Sequence, residues 1–178
     1  MKNRFLFVLS FLLAAALATA ANVHLKGGKN AEPTFYDEGL FLAVSGAIAG
    51  LGNEDVLITL QARGMPTATC TNQGGNMAPG QNPAEVVLTG TTSIPAEEIK
   101  NGNTAFYVET LGPVSPVPGA PDCPNPNWRE DIVDVAFTFA TIVVEQPMGT
   151  FVLGVDCSIS PASVDGQVPG RFVDCFQY

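Results

Sequence analysis

Two short segments of the chain are dense in carboxamide side chains, and each begins with a cysteine. They read CTNQGGNMAPGQNP (residues 70–83) and CPNPNW (residues 123–128). Carboxamides donate and accept hydrogen bonds, as sugar hydroxyls do, and the indole of Trp128 offers a flat apolar face on which a sugar ring can stack. This chemistry predicts a binding site for a neutral glycan or similar ligand, formed by Asn72, Gln73, Asn76, Gln81, Asn82, Asn125, Asn127 and Trp128.

The same composition also has a purely structural interpretation. Asparagine side chains bond their own backbone in turns, glycine supplies positive φ and proline fixes φ, so such loops can be well ordered without any ligand. Trp128, the only tryptophan, would then simply close one end of the fold. The two interpretations differ in whether the indole is accessible to solvent.

The four cysteines, Cys70, Cys123, Cys157 and Cys175, form no CxxC or CxxH pair, and His24 is the only histidine. We therefore expect no zinc site, because an even number of cysteines in an exported chain indicates disulfides. Three pairings are possible. We favour Cys70 with Cys123, which brings the two polar loops together, and Cys157 with Cys175, which ties the C-terminal segment to the strand before it.

Other site chemistry has little support in the sequence. Calcium ligands could come from residues 53–55 (NED) or from Glu130, Asp131 and Asp134, but there is no D-x-D-x-D-G loop, and we predict no metal or other cofactor. A nucleophilic serine would need His24 as its base and a G-x-S-x-G context that the chain lacks. No two carboxylates are marked for glycoside hydrolysis. We predict that the protein is not an enzyme.

Residues 1–20, MKNRFLFVLSFLLAAALATA, have the three-part layout of a secretory signal peptide. Basic Lys2 and Arg4 precede 13 apolar residues (5–17), and Ala18-Thr19-Ala20 is a typical cleavage site. This apolar run is shorter than the roughly 20 residues of a membrane-spanning helix, and no second long run follows. We expect a secreted, extracellular or periplasmic protein in which residues 21–178 form a single domain without a transmembrane segment.

The chain is strongly acidic, with a formal net charge of −9 and a sequence pI of about 4.3. Removal of the signal segment would make the charge more negative, since it contains basic residues and no acidic ones. A domain of this charge repels nucleic acid and anionic lipid surfaces. We therefore predict no nucleic-acid partner and place any glycan or protein partner at the Cys70 and Cys123 loops.

Alternation with a period of two dominates the rest of the sequence. In VDVAFTFATIVVEQ, one predicted face carries Val133, Val135, Phe137, Phe139, Thr141 and Val143. A second strand places Val56, Ile58, Leu60 and Ala62 on one face, and Asn101-Gly102 predicts a tight reversal. Seven or eight short strands separated by Gly and Pro predict an all-β fold, namely an antiparallel, immunoglobulin-like β-sandwich stabilised by disulfides.

The pattern C-T-N-x-G-G-N-x-A-P-G-Q-N, followed by K-N-G and C-P-N-P-N-W before an F-T-F strand, resembles a set of short exported microbial proteins. The resemblance covers about residues 56–146 and leaves out the segment that contains Cys157 and Cys175. It implies a shared β-rich exported domain. Since those proteins carry no known activity, it assigns no catalytic or binding residue.

These observations together predict an exported, non-catalytic β-sandwich whose two cysteine-opened loops form a surface binding site for a neutral glycan. The alternative is a pilin-like structural subunit that assembles through an open sheet edge. Assembly would produce oligomers that depend on concentration, whereas a glycan-binding module would remain a monomer.

Overall fold

The computed structural model describes residues 22–28, 30–80, 84–114, 123, 125 and 127–178. The predicted signal peptide and the site residues Gln81 and Asn82 lie outside these ranges. Within them the chain forms eleven strands and two short 3₁₀ turns, Ala96–Glu98 and Gly170–Phe172. The strands are β1 (His24–Leu25), β2 (Thr34–Asp37), β3 (Leu42–Ala49), β4 (Val56–Asn72), β5 (Met77–Pro79), β6 (Val86–Ile94), β7 (Asn103–Glu109), β8 (Trp128–Glu145), β9 (Phe151–Ile159), β10 (Gly166–Gln167) and β11 (Val173–Gln177).

The strands form two antiparallel sheets. In the first sheet, β3 pairs with β7 on one side and with β1 and β2 on the other, and β10 pairs with β2. The order of the second sheet is β11, β9, β8, β4, and the far edge of β4 is shared by β6 and β5. Buried side chains from both sheets form one core cluster. This architecture confirms the predicted disulfide-stabilised β-sandwich, while its immunoglobulin-like character stays a prediction.

The long strands β4 and β8 pair from Leu57 opposite Glu145 to Asn72 opposite Trp128. Val56, Ile58, Leu60 and Ala62 on β4 are all fully buried, as their alternation predicts. The reversal at Asn101-Gly102 is also confirmed, because both residues have positive φ and the flanking Lys100 and Asn103 pair with each other.

The prediction of which β8 side chains are buried is wrong at Val133 and beyond Phe137. The register of β8 on β4 shifts at two places, where Val133 and Thr138 are extra residues without a partner. Each bulge moves the following side chains to the opposite face of the sheet. As a result Val133 is exposed, and the buried side chains are Val135, Phe137, Ala140, Ile142 and Val144.

Gly64 explains why the second of these bulges is tolerated. It lies on β4 directly beside the shift, where a Cβ atom would approach the Val135 side chain to 2.7 Å and the Ala136 carbonyl to 2.8 Å. Only glycine fits there without a backbone displacement.

No helix in the described part of the chain is long and apolar enough to cross a membrane.

A substitution at Gly90 on β6 tests how closely the two sheets pack, since a Cβ atom there would collide with the backbone carbonyl of Glu109 at the end of β7. We expect Gly90→Ala to lower the free energy of unfolding by about 2 kcal/mol or more, because backbone atoms must move. Urea denaturation measures this change. Gly170→Ala is the control, since a Cβ atom at Gly170 has no neighbour within 4 Å and should leave stability nearly unchanged. Equal effects of the two substitutions would contradict the packing described here.

Candidate functional site

The end of β4 and the start of β8 carry both polar loops of the predicted site. Cys70 is bonded to Cys123, with 5.7 Å between their Cα atoms, and Cys157 is bonded to Cys175. The favoured pairing is therefore confirmed, and it leaves no free cysteine. We call the region formed by residues 70–77, 123, 125 and 127–129 the cysteine-joined end.

Asn72 holds the first loop together. Its side-chain Oδ1 accepts hydrogen bonds from the backbone N–H groups of Gly74 and Asn76, both at 2.9 Å. Its backbone N–H donates to the carbonyl of Asn76, and its carbonyl accepts from Gly75. The carboxamide oxygen of Asn72 is therefore used by the loop itself, as the structural interpretation of this segment expects.

Asn125 has the same role in the second loop. Its Oδ1 accepts the backbone N–H of Asn127 at 3.0 Å, and its carbonyl accepts the backbone N–H of Trp128 at 3.0 Å. These bonds place Trp128 at the first position of β8, directly opposite Asn72.

The structure thus brings most of the predicted site residues to one end of the sandwich. Asn72 and Trp128 are cross-strand neighbours and are half-buried. Gln73, Asn76, Asn125 and Asn127 are exposed. Because Trp128 is of intermediate burial, it is neither a fully enclosed core residue nor a fully exposed surface for stacking.

The residues considered for calcium do not gather at one site. Asp55 Oδ1 accepts the backbone N–H of Ala96 at 2.9 Å, and Asp131 forms a salt bridge with Arg129 at 2.9 Å. Asp134 instead lies near Asp37 and Asp165, and oxygen atoms of these three carboxylates lie within 4.8 Å of one another. Among the described residues, this acidic cluster is the group that could hold a cation.

The acidic cluster joins distant parts of the fold through Asp37, which is only 2% exposed. The Ser163 hydroxyl donates to Asp37 Oδ2 and accepts the backbone N–H of Phe137, while Gly39 N–H donates to Asp37 Oδ1. Burial raises the pKa of the Asp37 carboxyl above its ordinary value. The hydrogen bonds from Ser163 and Gly39 oppose this rise, and the charges of Asp134 and Asp165 add to it.

A second feature that the sequence interpretation missed lies on the outer surface of the second sheet. The rings of Phe151, Tyr178 and Phe176 are neighbours there, with centroid distances of 6.1 and 6.0 Å. The three residues come from two strand ends far apart in sequence, so only the register of β9 and β11 brings them together. We call these three residues the aromatic row.

Comparison of the chain with protein-family models, with curated proteins and with solved structures finds no match in any of the three.

Asn72→Ala tests whether the first loop depends on its own carboxamide. We expect the free energy of unfolding to fall by about 1 kcal/mol, because two backbone N–H groups lose their acceptor. Asn72→Asp, which keeps the acceptor oxygen, should restore most of this loss. Gln73→Ala, at an exposed neighbour, should change stability by less than about 0.5 kcal/mol. Urea denaturation of the three variants measures the differences, and an unchanged Asn72→Ala midpoint would exclude this role.

Asp37 should make stability depend on pH. Since its pKa is raised in the folded state, the folded protein binds more protons than the unfolded chain at pH values between the two pKa values. Stability should therefore fall as the pH rises from about 4 through the folded-state pKa, by about 1.4 kcal/mol for each unit of pKa increase.

Thermal unfolding at a series of pH values measures this dependence. Asp37→Asn, which is neutral at every pH, should flatten it, whereas Asp174→Asn, at an exposed carboxylate, should leave it in place. Parallel curves for wild type and Asp37→Asn would show that Asp37 is not the group responsible.

Proposed function

We propose that this protein is an exported, non-catalytic β-sandwich module that binds a neutral glycan at its cysteine-joined end. The observation that carries the proposal is the placement of Trp128 directly opposite Asn72, between two loops that the Cys70–Cys123 disulfide joins. An indole beside several carboxamides combines an apolar surface with hydrogen-bonding groups of both kinds.

The well-ordered conformation of the two loops favours binding. Because Asn72 and Asn125 each bond their own loop backbone, little conformational entropy is lost when a ligand docks. The groups that contact the ligand are then the exposed carboxamides of Gln73, Asn76 and Asn127, together with the indole of the half-buried Trp128. Asn72 itself serves as a positioning residue.

The charge of the protein favours a neutral ligand. With a formal net charge of −9, the domain repels acidic polysaccharides at low ionic strength. Carboxamides and an indole carry no net charge, so uncharged sugar hydroxyls match the groups that the cysteine-joined end presents.

Export of the protein is supported by the two disulfides and by the layout of residues 1–20. Disulfides persist in oxidising compartments outside the cytoplasm. We therefore place the protein in the extracellular space or the periplasm. Its role there is to attach to a surface or a polymer rather than to transform it.

Affinity electrophoresis in gels that contain a soluble neutral β-glucan, a mannan or a dextran tests the proposal. We expect at least one of these polysaccharides to retard the oxidised protein, and the same polysaccharide to perturb the fluorescence of Trp128 in solution. Trp128→Ala should weaken binding about tenfold or more, because a buried aromatic anchor, here the indole on which a sugar ring stacks, commonly contributes most to the affinity of a binding site. Gln73→Ala and Asn127→Ala should weaken it less.

Tyr107→Ala provides the matched control, since Tyr107 is an exposed aromatic residue on β7 in the other sheet. Its loss should leave retardation unchanged. Absence of retardation by all three polysaccharides, or equal retardation of the Trp128→Ala variant, would contradict the proposal. Size-exclusion chromatography over a dilution series separates this function from the assembly alternative, which requires oligomers.

A further inference from the structure

The aromatic row is an exposed apolar feature on a sheet face that no other described element covers. Phe151, Tyr178 and Phe176 are 52%, 54% and 66% exposed. Their ring planes are nearly parallel, with interplanar angles of 23° between Phe151 and Tyr178 and 18° between Phe176 and Tyr178. Ring faces carry the negative part of the aromatic quadrupole, so such a row attracts cations as well as apolar groups.

The row is held rigidly by the strands beneath it. Tyr178 exchanges two backbone hydrogen bonds with Gly154, at 2.8 and 2.9 Å. Its ring lies against Gly154, where any larger residue would collide with the ring. The Cys157–Cys175 disulfide joins β9 directly to β11, next to Phe176. The rings therefore keep their spacing without a ligand, which lowers the entropic cost of binding.

Three carboxylates lie beside the aromatic row on the same face of the sheet. Glu145 on β8 lies directly opposite Phe151, and Asp156 on β9 lies directly opposite Phe176. Asp174, two residues before Phe176 on β11, is exposed on the same face. Residues directly opposite on antiparallel strands have Cβ atoms about 5 Å apart, so each phenylalanine has a negative charge beside it. Neither β9 nor β11 contains a lysine or an arginine.

We propose that the aromatic row, with Glu145, Asp156 and Asp174, is the docking surface for a basic polypeptide segment. Arginine or lysine side chains of the partner would lie over the rings and bond the adjacent carboxylates, so that each positive charge meets both kinds of group. The same sheet face already contains one such contact, since the Arg63 guanidinium lies 5.6 Å from the centroid of the Phe139 ring.

This surface is separate from the proposed glycan site. Trp128 begins β8, whereas the docking surface lies along the second half of that strand, where Glu145 faces Phe151 and Asp174 pairs with Ser158, the partner of Phe139. At about 3.3 Å per residue, the stretch of β8 from Trp128 to Phe139 separates the two sites by roughly 35 Å. The two sites can therefore be occupied together, and the docking proposal does not depend on the glycan proposal.

Fluorescence anisotropy of a fluorescein-labelled peptide of alternating Arg and Ser residues tests the proposal on the oxidised protein. We expect the double variant Phe151→Ala/Phe176→Ala to bind about tenfold more weakly than wild type, since two cation–π contacts are lost while the net charge is unchanged. Tyr107→Ala, which removes an exposed aromatic residue elsewhere, should bind as wild type does. A peptide of alternating Glu and Ser should not bind.

Phe151→Leu/Phe176→Leu keeps the apolar surface but not the rings, and it serves if the alanine variant does not fold. We expect it to lose affinity as the alanine variant does. Equal peptide binding by wild type and both double variants would show attraction by net charge alone and would overturn the proposal. Absence of peptide binding would overturn it too, as would size-exclusion evidence that the row instead mediates association of two copies of this chain.

Discussion

The pairing of β4 with β8 is the constraint on which the rest of the structure depends. These two strands form the centre of the second sheet, from Leu57 opposite Glu145 to Asn72 opposite Trp128. Their inner faces supply much of the core, and their outer edges hold β6, β5 and β9. Because the pairing continues over the whole length, through two bulges, it decides which residues meet at each end. The cysteine-joined end and the environment of the aromatic row both follow from it.

Local alternation in the sequence predicted the buried face of β4 from Val56 to Ala62, but it did not predict the extension of this strand to Asn72 or the buried face of β8. The two bulges of β8 lie at Val133 and Thr138, which are β-branched residues that fit a regular strand equally well. The bulge at Thr138 is accommodated by Gly64 on the neighbouring strand β4, which β8 approaches closely. A pattern read along one strand contains no information about its neighbour, so the buried face was assigned wrongly at Val133 and beyond Phe137.

The candidate sites could likewise be predicted from the sequence only in part. The Cys70–Cys123 bridge could be predicted because each cysteine opens a polar loop, and the bridge then placed Asn72, Asn125 and Trp128 together. The use of the Asn72 and Asn125 carboxamides by their own loops follows from general turn chemistry, although the sequence does not show which asparagines do this. The aromatic row and the acidic cluster were missed, since their members are far apart in the chain and meet only through strand register and sheet packing.

The distribution of charge connects these features. An acidic domain favours neutral ligands where it presents carboxamides, and basic partners where it presents carboxylates beside rings. If both proposals hold, the domain would link a neutral polymer to a basic protein, with the central β4–β8 pair of the second sheet between the two surfaces. Each disulfide lies at one of the two surfaces, since Cys70–Cys123 joins the loops of the cysteine-joined end and Cys157–Cys175 joins the strands that carry the aromatic row.

The most direct test of this two-ended account is a backbone amide chemical-shift map of the oxidised, isotope-labelled protein. A neutral polysaccharide that binds and the Arg-Ser peptide would be added in turn. The account predicts that the polysaccharide shifts amides around Asn72 and Trp128, and that the peptide shifts amides of β9 and β11 around Phe151 and Phe176. Shifts at the same end with both ligands, or at neither end, would contradict it.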